Sequence, residues 1–136
     1  MAYVWPDQPA RLTRLKSAID LAVANKIVPD KADAADWLID KLATRARDAM
    51  TIVYHSVFLI YPDEATREKI VASMEAAGAL ATSQAPLAWL RLEAPIVLAL
   101  PSDNAFNVLE LIQWPGGKRT LLANVDPHGR TVKWLV

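Results

Sequence analysis

The sequence predicts an α/β fold in which helices pack on a mixed sheet that ends in antiparallel hairpins. Three features point to it. Apolar residues recur at helical spacing through the first part of the chain, residues 51–61 form a β-branched and aromatic run, and two turn signals punctuate a C-terminal stretch of strands alone. At 136 residues the chain suits one domain with a single hydrophobic core.

Pro9 suits the first turn of a helix, and Leu12, Leu15, Ile19, Ala22 and Val23 then repeat at helical spacing, with an end expected near Asn25. Ile27 and Val28, stopped by Pro29, make at most a stub of strand. Asp33 is the expected N-cap of a second helix that buries Ala35, Leu38 and Leu42, with Trp37 at its edge. Asp36 falls in its acid-favouring first turn, and Arg45 and Arg47 in its last. Residues 51–61 are apolar on both faces, which predicts a central strand covered by helices on both sides.

Asp63 caps a third predicted helix, whose apolar face is Ile70, Val71, Met74 and Ala77 and whose C′ residue is Gly78. Residues 87–92 and 106–114 read as strands. The turn Pro115-Gly116-Gly117 leads back through residues 118–124, and Asp126-Pro127-His128-Gly129 turns into a last strand over 131–135. Residues 96–100, between two prolines, fit a short strand or a packed loop.

Composition narrows the function. Lys plus Arg and Asp plus Glu both number 15, so the net charge is zero and no basic excess is available to neutralise phosphates. Binding to nucleic acid is therefore not expected. Without cysteine there are no disulfides or thiolate metal sites. The N-terminal segment has neither the basic start nor the apolar core of a signal peptide. The longest apolar runs, 57–61 and 94–101, are far short of the roughly 20 residues that span a bilayer, so no membrane partner is expected and a cytoplasmic location follows.

Six stretches in one order carry a family resemblance: Tyr3-Val4-Trp5-Pro6-Asp7-Gln8, Ala32-Asp33-Ala34-Ala35-Asp36-Trp37-Leu38, Val53-Tyr54-His55-Ser56-Val57, Ala85-Pro86-Leu87-Ala88-Trp89-Leu90-Arg91-Leu92-Glu93, Trp114-Pro115-Gly116-Gly117 and Asp126-Pro127-His128-Gly129. Together they resemble the C-terminal part of the bacterial domain of unknown function 2332 family, with residues 94–105 as a departure. That family is in turn remotely similar to S-adenosylmethionine-dependent methyltransferases. The resemblance implies the C-terminal half of a Rossmann-like methyltransferase fold, residues 1–136 forming one half domain. By position it carries Asp33 and Asp36 over to cofactor contacts, and Trp37, Tyr54, His55 and Ser56 to a substrate pocket.

The four glycines are Gly78, Gly116, Gly117 and Gly129, none in a Gly-x-Gly pattern before a helix. A methyltransferase cofactor loop needs glycines so that backbone N–H groups can approach the ligand. No cofactor is expected for this chain alone, and S-adenosylmethionine only if a separate chain supplies the cofactor-binding half. Without the first strand of the parent fold, the strand from Thr51 has an unpaired apolar edge, which predicts a homodimer joined through sheets or an exchanged N-terminal helix.

Local chemistry favours plainer roles. Asp33 needs only local geometry to act as a cap, and His55, flanked by apolar strand, fits a hydrogen-bonded structural histidine better than a catalytic one. Asp126, His128 and Ser56 include the residue types of a hydrolase triad, but no Gly-x-Ser-x-Gly elbow surrounds a serine. Gly116-Gly117-Lys118-Arg119 lacks phosphate-loop spacing and reads as a hairpin turn. Trp89, Trp114 and Trp134 are explained by burial on strands, whereas Trp5 and Trp37 suit a residual crevice. Three functions stay open: a non-catalytic methyltransferase-like fragment that binds or assembles, one part of a two-chain methyltransferase, and a small-molecule binder using Trp37, Tyr54 and His55.

Overall fold

A computed structural model of the chain describes residues 4, 7–101 and 106–136. Trp5, most of the first motif and residues 102–105 lie outside the described residues. The chain divides into two compact units, residues 1–32 and 33–136.

The first unit is built on α1, Pro9–Ala24, with proline in its first turn and Asn25 as C-cap. The expected apolar stripe is present but buries nothing fully. Leu12, Leu15 and Ala22 are half-buried, while Ile19 and Val23 are exposed. Ile27 and Val28 form no strand, because Pro29 removes a donor and no ladder partner is present among the described residues.

The second unit runs α2 (Ala34–Ala43), β1 (Thr51–Ser56), α3 (Glu64–Ala79), β2 (Leu87–Glu93), a 3-10 turn (Pro95–Leu98), β3 (Asn107–Trp114), β4 (Lys118–Val125) and β5 (Val132–Trp134). The five strands lie in chain order, β1 parallel to β2 and every later pair antiparallel. The fold is therefore mixed α/β. Its parallel part is the unit β1–α3–β2, and the rest is a meander. Among the described residues no helix is long and apolar enough to cross a membrane.

Capping and periodicity set the helices. Asp33 accepts from the backbone N–H of Ala35 at 3.0 Å and of Asp36 at 3.1 Å, and α2 buries Ala35, Leu38 and Leu42 as their spacing requires. Arg45 and Arg47 lie beyond its end, since the helix stops at Ala43 and Lys41 is the cation of its last turn. Asp63 caps α3 through the N–H of Thr66 at 2.8 Å. The core joins both helices to β2 through Leu38, Leu42, Leu59, Ile70, Met74, Leu87 and Trp89.

Three expectations fail in instructive ways. The strand from Thr51 is neither central nor long: it ends at Ser56 and occupies one edge of the sheet. Thr51, Val53 and His55 turn toward the core, but Ile52 is 60% and Tyr54 59% exposed on the other face. Strand β2, at most 8% exposed at Leu87, Ala88, Trp89, Arg91 and Glu93, takes the buried position instead. Gly78 is no C′ residue either, because α3 continues to Ala79. A Cβ on Gly78 would stand 2.5 Å from the indole of Trp114, so the glycine makes room for that ring. The third expectation to fail is Trp134, 62% exposed on the short edge strand β5.

Candidate functional site

At the C-terminal ends of the parallel pair, the buried face of the sheet carries polar groups. Period-two alternation puts Leu87, Trp89, Arg91 and Glu93 of β2 on one face, and the β1 register sets His55 opposite Arg91. Glu93 is fully buried. Its Oε1 accepts from His55 Nδ1 at 2.8 Å, from the Phe58 N–H at 2.8 Å and from the Leu59 N–H at 3.1 Å. Its Oε2 is buried without a hydrogen-bond partner among the described residues.

The other nitrogen of His55, Nε2, accepts the indole N–H of Trp89 at 2.9 Å. Both imidazole nitrogens are thus engaged. Trp89 Nε1 can only donate, so Nε2 carries no proton and Nδ1 donates to Glu93. Burial pushes the Glu93 carboxyl up, but the hydrogen bonds from His55, Phe58 and Leu59 outweigh it and hold the group below its ordinary value. A base whose free nitrogen is capped by a buried indole cannot take a proton from a ligand without breaking that cap. The arrangement is suited to locking the strand ends together.

The bend that follows β1 explains the lock. Val57 adopts φ +48°, a left-handed conformation that strains a β-branched residue, and its N–H donates to Leu92 O at 2.7 Å. The next two N–H groups then converge, as in an anion-binding backbone nest. In a cofactor fold such N–H groups face a ligand. Here the chain's own Glu93 occupies them.

A second buried cluster lies one step along the same face. Arg91 stands opposite Glu110 in the β2–β3 register, and Glu110, fully buried, accepts the Nε–H groups of both Arg91 and Arg119. The Arg91 guanidinium also stacks on Trp89, 4.4 Å from the ring centroid. Arg91 and Glu93 fall within one of the family-like stretches, but nothing in their spacing announces their partners. Their signal is ionisable side chains at alternate positions of otherwise apolar strands, which burial obliges to pair.

The residues proposed by position do not converge on one site. Trp37 and Tyr54 do line one groove, of about 350 Å³, between α2 and the β1 edge. His55 points to the opposite face of β1 from Tyr54, into the Glu93–Trp89 lock, and Ser56 is exposed at the strand end. Asp33 is occupied as a helix cap, and Asp36 pairs with Lys69 of α3 at 2.5 Å. Neither lines that groove, the apolar cleft between α2 and α3, or the cavity between α3 and the sheet. The backbone nest after β1 is filled by Glu93 and is not open to a ligand. Ser56 and the Asp126–His128 turn lie at opposite edges of the sheet, which removes the hydrolase triad. Among the described residues no group of three His, Asp or Glu side chains could hold a metal ion.

In comparison with models of protein families, residues 1–134 match the one described as uncharacterized protein conserved in bacteria (DUF2332). No curated protein and no solved structure matches the chain.

Proposed function

Since the chain belongs to the DUF2332 family of bacterial proteins, we propose that it is a non-catalytic, methyltransferase-like module that binds and assembles, working as a homodimer. The observation that carries this proposal is the open edge of the sheet. Among the described residues strand β1 has a neighbour on one side alone, and its exposed face presents Ile52 and Tyr54. An unpaired strand with apolar side chains is a template for pairing, which natural proteins cover or block with charge. Residues 51–56 carry no lysine, proline or carboxylate to block it.

Two further features support the same reading. The α1 unit exposes Ile19, Leu21 and Val23, and a 16-residue helix gains little stability until an apolar face is packed. Both ring nitrogens of His55 are engaged, so this imidazole is not free to act as a general base. The methyltransferase-like part of the proposal draws support from the β1–α3–β2 unit, a parallel pair joined by a helix, as in Rossmann-type folds.

Sedimentation velocity on the full chain at micromolar concentration tests the proposal. A dimer is expected, and Ile52→Lys with Tyr54→Lys should convert it to a folded monomer. A wild-type chain that sediments as a monomer would remove the idea. Calorimetric titration with S-adenosylmethionine should give no heat of binding, and a saturable signal from the chain alone would overturn the non-catalytic reading.

A further inference from the structure

We propose that the cavity between α3 and strands β2–β4 is a binding site for a small aromatic amino acid, independent of the dimer edge. The cavity holds about 340 Å³, at the small end of the range for ligand pockets and suited to a single-ring ligand. It is separate from the Trp37–Tyr54 groove and shares no lining residue with it.

Two guanidiniums in its wall are held in place yet incompletely used. Arg91, 8% exposed, is fixed by Glu110 at Nε and by stacking on Trp89, and neither of its terminal nitrogens has a hydrogen-bond partner among the described residues. Arg119 is fixed by Glu110 at Nε and by Leu98 O at Nη2, 2.9 Å away, which leaves its Nη1 without a partner among them. One buried carboxylate thus orients two cations and cannot satisfy them both. Donors already locked in position and lining a pocket lose little entropy on accepting a carboxylate, and a guanidinium edge matches its two oxygens.

The remaining wall fixes the rest of the ligand. Val71, Ile112 and the Trp114 indole give an apolar side that takes a flat ring. Glu75, exposed on α3, is the one carboxylate among the described residues that line it. A simple anion would be repelled by Glu75, whereas an α-amino acid offers an ammonium to it and a carboxylate to the arginines. The hairpin turn that carries Gly117 closes the rim beside Trp114.

Two-dimensional NMR titration of the full chain, read at the indole resonance of Trp114, tests the site with L-phenylalanine, 3-phenylpropanoate and phenethylamine. Phenylalanine should bind most tightly and phenethylamine most weakly. Arg119→Gln, at a half-exposed side chain, should weaken phenylalanine about tenfold or more, since hydrogen bonds to charged groups are among the stronger ones. Glu75→Gln leaves the arginine clamp intact and should abolish the preference for phenylalanine over 3-phenylpropanoate. No shift with any of the three at millimolar concentration would overturn the proposal. So would unchanged affinity in folded Arg119→Gln, or phenethylamine binding as well as phenylalanine.

Discussion

The indole N–H of Trp89 donates to Nε2 of His55 at 2.9 Å, and that one contact sets the protonation of the whole strand-end lock. With Nε2 accepting, the ring proton sits on Nδ1 and points at Glu93. Imidazole ¹⁵N shifts should therefore report the Nδ1–H tautomer at neutral pH, and an Nε2–H signal would refute the assignment. Trp89→Phe leaves Nε2 an unsatisfied acceptor and should cost at least about 1–3 kcal/mol in urea unfolding, with the loss of indole volume adding to it.

Glu93 gives the fold an acid-sensitive element. Its folded pKa lies below the ordinary value, so its contribution is complete above the unfolded glutamate pKa of about 4.3 and is lost as pH falls through the depressed folded value. Thermal unfolding followed from neutral pH downward should show stability dropping below that point. Glu93→Gln keeps an acceptor for the Phe58 and Leu59 N–H groups but cannot ionise, so this part of the acid loss should flatten. An unchanged profile in the variant would assign the loss to other carboxylates.

Gly78 and Trp114 make a steric pair. Alanine in a helix interior is ordinarily worth about 1 kcal/mol over glycine. At Gly78 its Cβ would overlap the fused-ring atoms of Trp114 at 2.5 Å, and overpacking of that kind costs about 1–3 kcal/mol. The ring atoms are not a flexible tip, so the steric cost should win and Gly78→Ala should destabilise. In a Trp114→Leu background the sign should reverse. The same sign in both backgrounds would separate Gly78 from the indole.

Asp33 distinguishes cap from cofactor contact. Asp33→Ala should lose about 1 kcal/mol of stability, within a range of about 0.5–2, and Asp33→Ser should recover most of it. A residue kept only for a ligand would leave the unfolding midpoint unmoved.

Local signals in the sequence determine most of the elements. Asp33 and Asp63 begin helices, Ala35, Leu38 and Leu42 choose the buried face of α2, and Pro115-Gly116-Gly117 turns β3 into β4, because caps, periodicity and turn conformations need only neighbours a few residues away. Strand order is different. The apolar run at Thr51 reads as central, yet only the assembled sheet shows that β2 is the buried interior strand beside it and β1 the edge. Pairing partners decide such a position, and they lie far apart in the chain. The charged clusters follow the same rule: Glu93 meets His55 across 38 residues, and Arg91 meets Glu110 across 19. Spacing along a chain cannot announce those meetings. The register of the strands brings the groups together, and the cost of burying an unpaired charge makes each of them hold its partner.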